Sequence, residues 1–204
     1  MKKLLLISMA IITVSIAKAQ PVSDIAIIPV GVNLNSILRL QVISGGNIEF
    51  AVNTISQYSA GIPNTAGTTT TFTVSSTVNF DVNLYAEGAN MIGTDLGGSL
   101  PVTNIGYTMA ETGTGADATN WDLNSVAVTN VLASAKGAPS IIVKGISSIA
   151  AGNAAQNTFQ IKWALATPAV LGAVGGLGAA NTLLIQGKKA DRYVINTFLD
   201  LDAK

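Results

Sequence analysis

The 204-residue chain contains no histidine and no cysteine. Without imidazole there is no Ser-His-Asp or Cys-His nucleophile and no zinc centre built on His or Cys. Without thiols there is no disulfide framework, redox motif or iron–sulfur ligation. Charge is scarce too: only 11% of residues are Asp, Glu, Lys or Arg, with eleven basic balancing eleven acidic. A balanced, sparsely charged chain lacks the basic footprint of a nucleic-acid binder. Aromatics reach 5% and form no regular girdles of the kind an outer-membrane barrel carries. What is abundant is small and polar: 20 Thr, 16 Asn, 15 Ser and 20 Gly. That composition suits exposed β-sheet and turns rather than helices rich in Glu, Lys and Leu.

Lys2 and Lys3 precede an uncharged apolar run, Leu4 to Ile16, and Ala17-Lys18-Ala19 places small residues at a cleavage position. The pattern predicts a secretory signal peptide over residues 1–19 and a mature chain, residues 20–204, folded as one domain. A run of thirteen residues falls short of the roughly 20 a spanning helix needs, so no transmembrane span is expected. Small exported eukaryotic domains are usually disulfide-rich. A cysteine-free one fits a secreted or cell-surface protein of a bacterial envelope better.

Residues 72–84 carry the clearest periodicity. Phe72, Val74, Val78, Phe80, Val82 and Leu84 alternate with Thr73, Ser75, Asn79, Asp81 and Asn83, so one face is buried and the other wet. Thirteen residues exceed the usual strand of about 5–6. A bulge or a bend between two sheets is therefore expected near Ser75-Ser76-Thr77. Upstream, Leu38, Leu40 and Val42 lead to Ile48, Phe50 and Val52 across Ser44-Gly45-Gly46. A hairpin there sets Val42 opposite Ile48 and Leu40 opposite Phe50, with Arg39 diagonal to Glu49. Phe159, Ile161, Trp163 and Leu165 form another alternating row, as do Tyr193, Ile195, Leu199 and Leu201. Weaker strands are expected over residues 25–30, 102–107, 125–131 and 141–146. No segment shows a long helical stripe. The expected fold is all-β, a single antiparallel β-sandwich of Ig-like type with about nine strands.

Ser76-Thr77-Val78-Asn79-Phe80-Asp81-Val82-Asn83-Leu84, the following Leu100-Pro101-Val102, and Asp191-Arg192-Tyr193-Val194-Ile195 through Leu199-Asp200-Leu201 resemble segments of exported bacterial β-sandwich proteins. The group in question is the spore-coat-U-type and related pilin-like subunits. The resemblance implies a non-catalytic protein that builds or decorates extracellular structures. The chain departs from several such families in lacking their cysteines.

Acid–base chemistry would fall to carboxylates, of which Asp81, Glu87, Asp95, Glu111, Asp117, Asp122, Asp200 and Asp202 are the conspicuous ones. The pattern puts them on wet faces or in turns, with no poised pair, so no enzyme and no cofactor are expected. Residues 117–122 and the pair Asp200 and Asp202 offer oxygen at close spacing for a cation, without matching an EF-hand. Trp163 falls in a buried row, whereas Trp121 sits in a polar stretch and reads as a surface contact.

Three features point to assembly. Residues 167–181 are uncharged and carry Val170, Leu171, Val174 and Leu177, which suit either a partner-contacting surface or a loop packed over its own core. Residues 20–135 hold one basic and eight acidic residues, whereas residues 136–204 hold seven basic and three acidic. Segregated in space, such charges would favour head-to-tail contact. Val30, Val32 and Leu34 alternate in a segment where Pro29 disfavours a central strand, so the segment is either an edge strand of its own sandwich or an arm that pairs with a neighbour. The expected function is a structural or adhesive subunit of a cell-surface or filamentous assembly that self-associates or joins other surface subunits. The alternative is a monomeric extracellular module that binds carbohydrate or a cation.

Overall fold

The computed structural model describes residues 28–114, 121–123, 130–136, 141–146, 151–173 and 178–204. The chain divides into two compact units, Met1–Leu34 and Asn35–Lys204. In the first, residues 28–34 adopt no regular secondary structure, and the expected signal peptide lies outside the described residues. The expected strand over residues 25–30 is absent from its described part, residues 28–30.

The second unit is all-β and antiparallel. Its described residues form twelve strands: β1 (Leu38–Ser44), β2 (Thr69–Ser76), β3 (Phe80–Ala86), β4 (Asn90–Gly93), β5 (Ser99–Pro101), β6 (Ile105–Glu111), β7 (Trp121–Leu123), β8 (Asn130–Val131), β9 (Ile141–Gly145), β10 (Thr158–Leu165), β11 (Tyr193–Val194) and β12 (Thr197–Ala203). A five-stranded sheet runs β1-β2-β10-β6-β8, a four-stranded sheet β12-β3-β9-β7, and a small sheet β11-β4-β5. The count exceeds nine because several strands are only two to four residues long, too short to show alternation.

The long row at 72–84 does change sheets. β2 ends at Ser76 in the five-stranded sheet, and β3 starts at Phe80 in the four-stranded one. Ser76 Oγ donates to Val78 O and accepts from Val78 N, and Asn79 Oδ1 accepts from Phe80 N. These local bonds hold the turn where ladder pairing stops. Phe72, Val74, Phe80, Val82 and Leu84 are buried as expected. Two residues of the expected wet face are buried as well, Thr73 and Asn83. Both sit on central strands: Thr73 is flanked by Gln41 and Thr158, and Asn83 by Asp200 and Ile141. Neighbours on both sides cover a short outward side chain.

The expected 38–52 hairpin does not form. β1 pairs with β2, Leu40 opposite Val74 and Val42 opposite Phe72. Residues 46–53 form no strand; Ile48, Phe50 and Val52 pack against the core without a ladder. Gly45 makes the turn possible, with φ +67° and its carbonyl accepting from Thr70 Oγ1 at 2.6 Å. A Cβ there would fall on the Thr69 carbonyl. Arg39 therefore lies opposite Ser75, and Glu49 pairs with Arg192 instead.

The five- and four-stranded sheets share one core. Phe72 stacks on Phe159 at 5.4 Å, Phe159 meets the edge of Trp121 at 5.4 Å, and Trp121 reaches Phe80 at 5.3 Å. This aromatic chain crosses from one sheet to the other. Trp121 is thus core, 4% exposed in β7, with its indole N–H donated to Glu111. Its polar sequence neighbours concealed this. Three short helices were not evident as periodic stripes: α1 (Ile55–Ala60), α2 (Pro168–Gly172) and α3 (Leu183–Gln186). Each starts after a threonine whose hydroxyl accepts a backbone N–H, and α1 has a full capping box from Thr54 and Gln57, a signal legible in sequence.

Candidate functional site

Among the proposed assembly residues, the structure separates two groups. Val30, Val32 and Leu34 are 85%, 78% and 89% exposed, and Ile28 in the same alternating row is 81% exposed. These are four apolar side chains at every second position, all exposed, which is the kind of apolar surface that marks an interaction site. Val170 and Leu171 are the opposite case, both fully buried in α2. Thr167 caps that helix by accepting from Val170 N, and Pro168 opens it. The capped turn folds both side chains inward, so they cover the protein's own core and are not contacts for a partner. Val174 and Leu177 lie outside the described residues.

The carboxylates are distributed rather than convergent. Asp200 and Asp202 share the Lys136 ammonium at 2.7 and 2.8 Å. The hydrogen bonds to Asp200 and Asp202 hold that lysine's pKa above its ordinary value. Asp202 also accepts from Asn83 Nδ2. The place where a cation was considered is thus already bridged by a side-chain cation. Asp81 accepts from Gly145 N and from Lys204 Nζ. Glu87 accepts from the side chain of Asn196, and Glu111 from Trp121. Asp122 is exposed, and Asp117 lies outside the described residues. Among the described residues, no three metal-ligating side chains come together.

Asp95 lies in the turn between β4 and β5, which is held by Asp191. That carboxylate accepts from the N–H groups of Leu96, Asp95 and Arg192 at 2.9, 3.1 and 2.7 Å. The backbone hydrogen bonds, led by that of Leu96, hold its pKa below the usual carboxylate range. Two ion pairs cross between the parts of the chain that differ in charge. Arg192 pairs with Glu49 and Lys204 with Asp81, which joins the basic part of the chain to the acidic part.

A groove of about 720 Å³ lies against β1, the 46–53 segment, β11 and β12. Strands β1 and β12 are both terminal in their sheets, so the core is open along this side. Val42 of β1, which lines the groove, is 41% exposed. Beneath the groove, Trp163 Nε1 donates to Thr70 Oγ1, which donates to Gly45 O. Sequence reasoning missed the groove because it depends on which strands end each sheet. Compared with known proteins, the chain matches no family model and no curated protein.

Proposed function

We propose that the protein is a non-catalytic, exported structural or adhesive subunit of a bacterial cell-surface or filamentous assembly, joined to its neighbours through the arm Ile28–Leu34. The observation that carries this reading is the exposure of Ile28, Val30, Val32 and Leu34, each at least 78%. A second observation supports it: the unit Asn35–Lys204 has a hydrophobic core of its own. An extended segment with apolar residues at alternate positions suits pairing with an exposed sheet edge, where backbone hydrogen bonds add to side-chain pockets. The terminal strands β1 and β12 provide such edges.

The test compares the chain starting at Gln20 with one starting at Asn35, by light scattering and by electron microscopy. The longer chain is expected to assemble, and the shorter to stay a folded monomer. An unfolded or aggregated shorter chain would show that the arm belongs to its own sandwich and overturn the proposal. A longer chain that remains monomeric at high concentration would do the same.

A further inference from the structure

We infer that the groove between β1, the 46–53 segment and β11 binds an anionic amphiphile, an acyl chain ending in a carboxylate or phosphate. This goes beyond the assembly reading and uses none of the arm residues. The volume, about 720 Å³, lies within the roughly 300–1,000 Å³ typical of small-molecule sites. Leu40, Phe50, Leu84, Met91, Trp163 and Leu183 contribute an apolar lining. The polar atoms beneath, Trp163 Nε1 and Thr70 Oγ1, already satisfy each other and Gly45 O. The floor therefore offers a ligand little besides dispersion and the exclusion of water.

The rim differs in sign. Lys188, Lys189 and Arg192 line it together with Glu49 and Asp191. Asp191 is committed to three backbone N–H groups, and Glu49 to Arg192 at 3.4 Å. Lys188 and Lys189 make no ion pair among the described residues. Two uncommitted cations beside an apolar channel complement a single anionic head on a hydrocarbon tail. A neutral glycan would leave them unused.

The cover over the channel permits entry. Residues 46–52 make no backbone hydrogen bond among the described residues. The segment is held by the half-buried side chains of Ile48, Phe50 and Val52 and by the exposed Glu49–Arg192 pair. A segment held only so opens at low cost.

The experiment titrates the mature chain with dodecyl phosphate below its micelle concentration, by calorimetry and by the tryptophan fluorescence to which Trp163 contributes. Saturable binding is expected. The double variant Lys188→Glu, Lys189→Glu should weaken it by about tenfold or more. Dodecyl maltoside, with the same tail and a neutral head, should bind the wild type correspondingly worse. Absence of saturable binding, equal affinity for the neutral probe, or unchanged affinity in the double variant would each overturn the inference. So would a peptide of residues 28–37 that displaced the bound probe, because the groove would then belong to a second copy. Assembly is read separately by light scattering, so failure of one proposal leaves the other standing.

Discussion

Replacing Trp121 separates two accounts of the same residue. By its sequence neighbours it is a surface aromatic, and truncating such a side chain changes stability by no more than about 0.5 kcal/mol. In the structure it is 4% exposed and lies between Phe80 and Phe159, with ring centroids 5.3 and 5.4 Å away. Trp121→Ala removes the ring that joins the two sheets and should cost about 3–5 kcal/mol, since the flanking strands cannot fully collapse onto the cavity. Trp121→Phe keeps an aromatic ring there but loses the 2.8 Å bond to the Glu111 carboxylate. It should cost about 2 kcal/mol, the worth of a partly buried hydrogen bond to a charged acceptor. Urea unfolding followed by far-ultraviolet circular dichroism reads both, because the midpoint follows the loss of backbone β-sheet that every variant shares. An alanine variant within about 0.5 kcal/mol of wild type would place the residue on the surface and refute the description of the core.

Val170→Asp, which buries an unpaired charge at a fully buried site, should cost more than about 4 kcal/mol, whereas Val30→Asp should leave the melting curve almost unchanged and reduce assembly. Equal effects on thermal stability would contradict their assigned places. The hydroxyl of Tyr107 is buried without a hydrogen-bond partner among the described residues, and burial pushes its pKa from 10.0 up to about 12. The folded state then holds a proton that the unfolded chain releases, so stability should fall as pH rises from about 10 to 12, by at most about 3 kcal/mol. Tyr107→Phe should remove the tyrosine's part of that fall and leave the part due to Lys136, whose pKa is also raised. For Asp191 the sign reverses: its lowered pKa means stability present above the unfolded carboxylate value and lost as pH falls through the folded one. Asp191→Asn should flatten this acid limb in pH-dependent melts, and an unchanged limb would show that the turn does not depend on that carboxylate.

How much of this was legible beforehand differs by element. The alternation at 72–84 and 159–165 identified buried faces correctly, because side-chain direction in a strand depends on the chain's own period of two. The change of sheet after Ser76 was legible for a related reason, since a row that long cannot stay in one strand of ordinary length. The three capped helices were legible only through Thr54, Thr167 and Thr182, as each is too short for a stripe.

Partners were another matter. Leu40 and Val42 satisfy the same parity rule against Phe50 and Ile48 as against Val74 and Phe72, so periodicity could not choose between them. The tertiary structure pairs β1 with β2 and leaves Ile48, Phe50 and Val52 as a cover over the open side. The burial of Trp121, Val170 and Leu171, the Lys136 bridge between Asp200 and Asp202, and the groove itself all depend on residues far apart in sequence. The chain alone determined that this protein is β-rich and which side of its long strands is apolar, because those are local properties of composition and period. Which strand lies beside which, and hence where the core stays open, was decided only in the folded molecule, where long-range contacts select among pairings that the local pattern leaves equivalent.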